Sequence, residues 1–120
     1  MVKKTLVLGA SLNTQKYSNK AVKALISKGF DVVVLGHKVG FIDKIKVIEA
    51  KKIYKNIHTV TIYLNKKFQG QFYNYVLELN PKRVIFNPGT ENQEFYKILE
   101  KRSINYEESC TLVLLSTDQF

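Results

Sequence analysis

The sequence is poor in several residues whose abundance marks special classes of protein. Its 120 residues include one cysteine, two prolines and no tryptophan. The single cysteine, Cys110, excludes an internal disulfide, so we expect the chain in a reducing compartment, the cytoplasm. Its apolar runs are far shorter than the ~18 residues of a membrane span, and the first is too short for a signal peptide. A hydrophobic content of 45% and a charged content of 24% exclude an intrinsically disordered chain.

The sequence also lacks the side-chain groupings of common catalytic and metal sites. No His and Cys residues stand at the spacing of a metal site, and neither His37 nor His58 has an evident aspartate partner. Glu107 and Glu108 are adjacent, so on a strand they would point to opposite faces and make a poor acid–base pair. Cys110 is open to two interpretations, a small buried side chain or a reactive thiol. We therefore expect no metal, and the sequence favours binding over catalysis.

Positive charge is abundant and unevenly distributed. Residues 1–60 contain 12 lysines and three acidic residues, whereas residues 61–120 contain seven basic and seven acidic residues. A one-sided basic field attracts a polyanion, which could be a nucleic acid, an anionic membrane surface or a phosphorylated small ligand. The alternative is a lysine-rich surface that is simply solvated.

Short apolar runs alternate with segments of helical periodicity. This pattern predicts strands at residues 5–9, 31–35, 45–48, 59–64, 83–87 and 105–107, and helices at residues 18–28, 68–79 and 92–102. Ser18 and Gly29 are the expected caps of the first helix. Residues 36–44 are expected to be a loop, residues 49–56 are helix or loop, and residues 111–115 are apolar without a clear type. The alternation indicates one α/β domain with a doubly wound, mostly parallel sheet and helices on both faces.

In such a sheet the ligand lies outside the carboxyl ends of the strands. The residues that directly follow strands are therefore the first candidates for ligand contact. The first strand is followed by Gly9, Ala10 and Ser11 and then by a helix, the layout of a phosphate-binding loop. The segment is neither the Gly-x-Gly-x-x-Gly dinucleotide fingerprint nor a Walker A loop. A purely structural turn is the alternative.

The second strand is followed by Gly36, His37 and Lys38. An NAD site places an acidic residue at this position to bind the ribose hydroxyls. A lysine there suits a nucleotide with an additional ribose phosphate, such as NADP or coenzyme A. The alternative is an exposed loop lysine.

Two later strand ends carry polar residues. Asn65 follows the strand at residues 59–64, and Asn87, Pro88 and Gly89 follow the strand at residues 83–87. The Pro-Gly pair predicts a sharp turn, after which Thr90 is expected to cap the next helix. This turn would lie at the same sheet edge as Gly9.

The ordered set of these segments resembles a known family. It consists of Gly9-Ala10-Ser11 with Asn13, Tyr17-Ser18, Gly36-His37-Lys38, Asn87 to Asn92, and Cys110-Thr111-Leu112. Together they resemble the small single-domain CoA-binding proteins, stand-alone relatives of the CoA-binding domain of the succinyl-CoA synthetase α subunit. The resemblance covers residues 5–120. It implies a Rossmann-like fold, one CoA-binding domain over residues 1–120, and coenzyme A or an acyl-CoA as ligand.

The resemblance also implies roles for the strand-end residues. The loop from Gly9 to Asn13 and the helix start would hold the diphosphate, and Lys38 would face the adenosine phosphate. His37 stands where many relatives have proline. The implied CoA-binding residues are Gly9, Ala10, Ser11, Asn13, Lys16, Tyr17, Ser18, Gly36, His37, Lys38, Tyr63, Asn65, Asn87, Pro88 and Gly89.

The leading hypothesis is a non-catalytic CoA-binding module that acts as a carrier or regulator, since the chain lacks the ligase parts of the synthetase. One alternative is a small enzyme on the same fold that uses NADP or another nucleotide. A second alternative is a basic nucleic-acid-binding protein, which rests on charge alone because RNA-binding motifs are absent. An enzyme needs an acid–base pair at the strand ends. A nucleic-acid binder would spread its lysines over a surface, whereas a CoA binder would gather them at one cleft.

Overall fold

The apolar runs form strands and the periodic segments form helices over residues 3–120, the part of the chain that this computed structural model describes. The strands are β1 (Lys4–Leu8), β2 (Asp31–Leu35), β3 (Gly40–Ile42), β4 (Ile45–Ile48), β5 (Thr59–Ile62), β6 (Arg83–Phe86) and β7 (Asn105–Glu108). The helices are α1 (Tyr17–Ser27), α2 (Tyr73–Leu79), α3 (Gln93–Lys101) and α4 (Thr111–Ser116). Each of these helices is too short to cross a membrane.

The sheet has the order β3-β4-β2-β1-β5-β6-β7, and every neighbouring pair is parallel except β3 with β4. The expected α/β, doubly wound and Rossmann-like architecture is therefore confirmed. The chain builds outward from β1 to β4 on one side and then returns to add β5 to β7 on the other. The topological switch point lies between β1 and β5, where such folds bind their ligands.

Alternate strand residues supply two apolar cores. On one face Leu6, Val60 and Phe86 are fully buried against α2 and α3. On the opposite face Val7 and Ile85 are fully buried in the core that α1 and α4 cover. Burial of each such side chain contributes about 1.5–3 kcal/mol, so the central strands form a rigid platform for the loops at their ends.

The first helix begins one residue earlier than the sequence suggested, and the expectation that Ser18 caps it is wrong. Lys16 occupies the N-cap position without a side-chain capping bond. Ser18 lies in the first turn, where its hydroxyl accepts a hydrogen bond from the Ser11 amide at 3.0 Å. The helix end is as expected, because Gly29 follows it with a φ of +84°.

Residues 36–44 are not simply a loop, because they contain β3. This three-residue strand pairs with β4 through a tight turn at Asp43, whose φ is +52°. Gly40 begins β3 where a Cβ atom would lie 2.6 Å from Leu12 Cδ1. A strand this short depends on its pairing partner, which explains why its own sequence gave no signal.

The helix expected at residues 68–79 is shorter than its periodicity suggested. Two 3-10 turns, Lys66–Phe68 and Gly70–Phe72, precede α2. The side chain of Gln69 is completely buried between them and donates to the main-chain oxygens of Leu64 and Thr90. These bonds tie the segment to the sheet and prevent one continuous helix.

The start of α3 also corrects the sequence interpretation, because Asn92 rather than Thr90 is its cap. The Asn92 side chain accepts a hydrogen bond from the Phe95 amide at 3.2 Å. The Thr90 hydroxyl instead donates to the main-chain oxygen of Asn87 at 2.7 Å. Residues 49–56 form no helix, and the apolar segment at residues 111–115 begins α4.

Candidate functional site

The loop after β1 lies where the carboxyl ends of β1, β2 and β5 meet. Gly9 has a φ of +92°, and a Cβ atom on it would lie 2.7 Å from Leu64 Cγ. The amides of Gly9 and Ala10 both donate to the main-chain oxygen of Leu35 at 2.9 Å. Only glycine fits the first position, and the two hydrogen bonds hold the loop close to β2.

Side chains within the loop connect it to the start of α1. The Ser11 hydroxyl accepts from the Asn13 amide at 3.1 Å, while Asn13 Oδ1 accepts from the Gln15 amide at 2.9 Å. Asn19, which is buried in α1, donates to the main-chain oxygen of Ser11 at 3.0 Å. With the bond from Ser11 to Ser18, these contacts fix the loop before any ligand arrives.

The start of α1 offers backbone donors to an anion. The first amides of an α-helix have no partner within the helix, and here no side chain among the described residues caps them. Helix α1 has 11 residues, so its dipole adds positive potential at this end. The exposed side chains of Lys16 and Tyr17 flank the amides. The arrangement is suited to a phosphate group.

A cavity of about 460 Å³ opens beside this loop at the switch point of the sheet. Its floor is formed by residues at the ends of β1 and β2, and its walls come from the segments that follow β4 and β5. The lining residues are Leu8, Gly9, Leu35, Gly36, His37, Glu49, Lys51, Leu64, Phe68, Gln71 and Phe72. The cavity is therefore mainly apolar, with a few charged groups at its edge.

The outer wall of this cavity is aromatic. Lys51 Nζ lies 4.9 Å from the centre of the Phe72 ring and donates to the main-chain oxygen of Gln71 at 2.6 Å. This contact joins the segment after β4 to the 3-10 turns after β5. Phe68 is 51% exposed and lines the cavity, so its ring is open to a ligand. An aromatic wall beside cationic groups can accommodate a flat base.

Sequence reasoning missed Lys51, Phe68 and Phe72 as cavity residues. The two phenylalanines were assigned to the inward face of one long helix. Gly70 lies between the two phenylalanines, and glycine disfavours the interior of a helix. It could have indicated that Phe68 and Phe72 do not belong to one continuous helix.

The residues after β2 lie at the same edge. A Cβ atom on Gly36 would collide with the main-chain oxygen of Ala10 and would lie 3.0 Å from Val47 Cγ1. The two loops therefore pack directly against each other. His37 lines the cavity, and the exposed Lys38 follows it. The ion pairs among residues 3–120 are Lys28 with Asp118 and Arg83 with Glu107, so Lys38 has no carboxylate partner there.

The expected residues after β5 serve mainly to hold structure. Tyr63 packs into the core beneath α1 and α4, where burial raises the pKa of its phenol and the neighbouring Thr111 hydroxyl partly offsets the effect. Asn65 caps the first 3-10 turn by accepting from the Lys67 amide at 3.1 Å. Neither residue lines the cavity, and a ligand role for them stays a prediction.

Asn87 is 2% exposed, and its amide group makes hydrogen bonds in three directions. It donates to Thr61 Oγ1 at 2.6 Å and to the main-chain oxygen of Ile62 at 2.9 Å, and it accepts from the Thr111 amide at 2.8 Å. Asn87 thus joins β5, β6 and α4. Pro88 and Gly89 form an exposed turn that does not line the cavity.

Groups able to perform acid–base or metal chemistry are scattered. Cys110 is half-buried before α4, and His58 lies at the opposite edge of the sheet. His37 and Glu49 both line the cavity, but no ion pair joins them. Residues 3–120 contain no group of three or more His, Cys, Asp or Glu side chains that could hold a metal ion.

Comparison with protein families gives one match, to the model of the CoA binding domain over residues 3–116. A search of curated proteins finds no match.

Solved structures share the whole architecture. The crystal structure of an uncharacterized protein is 42% identical in sequence, with a TM-score of 0.96 over 100% of this chain and 99% of that one. A conserved hypothetical protein from Pyrococcus furiosus is 29% identical, with a TM-score of 0.82 over 92% and 97% of the two chains. A Thermus thermophilus protein at 17% identity has a TM-score of 0.87 over 99% and 91%, and this supports the fold alone.

Proposed function

The chain belongs to the CoA binding domain family, and we propose that it binds coenzyme A or an acyl-CoA at the carboxyl edge of its sheet. The observation that carries the proposal is the cavity at the switch point between β1 and β5. It lies between Gly9, which begins the preformed loop, and a wall of two phenylalanines. One domain, residues 1–120, would hold the whole site.

The diphosphate would bind between the Gly9–Asn13 loop and the start of α1. The donors would be the backbone amides at the start of α1, which lie at the positive end of the helix dipole, because the amides of Gly9, Ala10 and Ser11 already donate within the protein. The exposed Lys16 adds a mobile positive charge. Backbone amides and a lysine bind a phosphate through hydrogen bonds and charge and do not react with it. This suits a protein that carries its cofactor and does not consume it.

The adenosine end would occupy the cavity. Its volume of about 460 Å³ accommodates a base and ribose but not a whole CoA molecule, so the pantetheine arm would extend outside. Phe68 and Phe72 would contact the base, and stacking on an aromatic ring contributes about 1–3 kcal/mol in nucleic-acid complexes. His37, Lys38 and Lys51 stand at the edge where the ribose phosphate would lie.

The same residues support a binding module rather than an enzyme. The cavity has one histidine and one glutamate, and they are not paired. Acid–base catalysis by such a pair needs hydrogen-bond reach, directly or through one water. We therefore propose a carrier or regulator of CoA in a reducing cytoplasm. An enzyme that uses NADP on this fold is the alternative, and it would require His37 to act alone.

Calorimetry with three ligands tests the proposal. We expect CoA to bind about tenfold or more tightly than dephospho-CoA, because charge-assisted hydrogen bonds to the ribose phosphate would be lost. NAD should bind more weakly still, since no acidic residue follows β2. Native mass spectrometry of freshly purified protein should show a retained ligand of CoA mass. Equal affinity for all three ligands would contradict a phosphate-specific site, and tighter NADP binding would favour the enzyme.

A further inference from the structure

The opposite edge of the sheet carries a second and wider concavity of about 850 Å³. It lies at the amino ends of β1, β2, β5 and β6, so the whole length of the sheet separates it from the proposed CoA site. Its charged and titratable lining consists of Lys3, Lys4, Lys55, Lys82, His58 and Asp31. The proposed function assigns no role to this region.

Four lysines and one carboxylate line this concavity, and no acidic side chain among residues 3–120 forms an ion pair with any of the four. Lys3 Nζ donates to the main-chain oxygen of Phe120 at 2.6 Å, and Lys4 Nζ lies 5.5 Å from the centre of the Tyr54 ring. The side chains of Lys55 and Lys82 are exposed. Like charges gathered in a concave surface focus a positive potential into it, which raises the local concentration of anions.

Helix dipoles do not account for this cluster. A lysine at the carboxyl end of a helix complements the negative end of the dipole, which explains Lys82 shortly after α2. Lys3 and Lys4 belong to the start of β1 instead, and Lys55 lies in the segment between β4 and β5. Three of the four lysines thus converge on the concavity from segments that are not helix ends.

A side-chain network orients the imidazole of His58 among the lysines. Arg83 Nε donates to Thr59 Oγ1 at 3.0 Å, and a second hydrogen bond of 2.8 Å joins Thr59 Oγ1 to His58 Nδ1. Arg83 is itself held by Glu107 at 3.2 Å and by the main-chain oxygen of Phe120 at 3.0 Å. The imidazole is therefore oriented by its neighbours through Nδ1.

We propose that this concavity is a second anion site, which binds a compact oligophosphate independently of CoA. Its lining has positive charge and one oriented imidazole, that of His58, and it has no other aromatic ring among the lining residues that the structure describes. A nucleotide or a nucleic-acid strand would use aromatic rings to stack its bases. The lysines also surround one concavity instead of following a long groove, which favours a short, highly charged ligand.

Inorganic tripolyphosphate is the probe that tests this site, in calorimetry at physiological ionic strength with CoA present in excess. We expect binding of one tripolyphosphate per chain. Lys55→Gln and Lys82→Gln should each weaken it about tenfold, since each removes a charge-assisted contact. Lys97→Gln on α3 is the matched control and should leave it unchanged. In the wild-type protein the NMR signals of His58 should shift on addition of tripolyphosphate.

Three results would overturn the proposal. One is no binding of tripolyphosphate at physiological ionic strength, and another is an equal loss of affinity in all three lysine variants. The third is tight binding of a single-stranded oligonucleotide whose affinity grows with length and whose NMR shifts extend beyond the concavity. The test does not depend on the CoA site, because a chain that failed to bind CoA would still give a clear result with tripolyphosphate.

Discussion

The two edges of the sheet both carry positive potential, but its source differs between them. At the carboxyl edge it comes from backbone amides at the start of α1, beside a mainly apolar cavity with an aromatic wall. At the amino edge it comes from lysine side chains and His58 around a wider concavity. Positive charge is the only property that the two edges share. The two concavities differ in width, and only the one at the carboxyl edge has an aromatic wall. These two differences determine which kind of anion fits each edge.

This comparison also changes how the charge pattern of the sequence is understood. A CoA binder was expected to gather its lysines at one cleft, yet the structure divides the lysines of residues 1–60 between the two edges. Lys16 and Lys38 lie at one end of the sheet, and Lys3, Lys4 and Lys55 lie at the other. Parallel strands make this division unavoidable, because every strand brings the residues before it and the residues after it to opposite edges.

The largest expected effect comes from Gly9→Ala, which adds a methyl group to a tightly packed position at the carboxyl edge. The new Cβ atom would lie 2.7 Å from Leu64 Cγ at a φ of +92°. Strain and overpacking together should lower the free energy of unfolding by about 2–4 kcal/mol, measured by urea denaturation. CoA binding should be lost at temperatures where the variant remains folded, because Leu64 must move into the cavity.

Gly89→Ala is the matched control for that change. Gly89 has the same φ of +92°, but nothing lies within 4 Å of its Cβ position. It should cost only about 1 kcal/mol of backbone strain. Equal destabilisation of the two variants would mean that crowding against Leu64 contributes nothing to the effect of Gly9→Ala. The close packing of the loop after β1 against Leu64 would then not explain why glycine is needed there.

Lys38→Glu should have the next largest effect, and it sharpens the comparison by changing charge at one edge only. Replacing an attraction to the ribose phosphate by a repulsion should reduce CoA affinity at least about tenfold, measured by calorimetry. Lys44→Glu makes the same change in the turn between β3 and β4, at the far edge, and should leave CoA affinity unaltered. Both lysines are exposed, so the melting temperature of either variant without ligand should barely move. An unchanged CoA affinity in Lys38→Glu would make this lysine part of the solvated surface.

Removing an aromatic ring from the cavity wall should have a smaller effect. Phe68 is 51% exposed and lines the cavity, whereas Phe41 is 67% exposed on β3 and does not. Phe68→Ala should weaken CoA binding by about 1 kcal/mol or somewhat more, through lost contact with the base. Phe41→Ala should leave the affinity unchanged in the same calorimetric assay. A similar loss in both variants would point to a general surface effect instead of a wall for the base.

Much of the fold could be predicted because buried strands and helices each require a characteristic spacing of apolar residues. The β-branched run at residues 31–35 is one strand with the expected ends, and Gly29 ends its helix as expected. Gly9 was expected to permit a tight turn after the first strand, and its φ of +92° agrees. Gly36 was included because it follows the second strand and belongs to the family resemblance, and the contact of either glycine with CoA stays a prediction. In contrast, β3 exists only through its pairing with β4, which no local pattern reveals.

The cavity wall could not be predicted for a related reason. Lys51 and Phe72 are 21 positions apart and meet only because a side chain bonds to a distant main-chain oxygen. Gln69 and Asn87 likewise have buried amides whose partners lie in other segments. Periodicity assigns a residue to an inner or outer face, but it does not tell which loops a polar side chain will join.

The smallest expected effect concerns His58 at the amino edge. Burial lowers the pKa of His58, and the charges of Lys3, Arg83 and Lys82 lower it further. The folded protein therefore resists protonation of this imidazole more than the unfolded chain, whose histidine titrates near about 6.5. Since the unfolded state binds the proton first as the pH falls, stability should be complete above about pH 6.5 and decline below it. Urea denaturation at a series of pH values measures this decline.

His58→Gln removes the titrating group and should flatten the stability profile between about pH 6.5 and the lower pKa of the folded state. NMR titration of the wild-type protein gives the second measurement, and tripolyphosphate should raise the pKa of His58, because a nearby anion favours imidazolium. If the pKa of His58 lay at or above about 6.5 without any added anion, the lysines would not be acting on the imidazole. The amino edge would then be an ordinary solvated surface, and only the carboxyl edge would bind an anion.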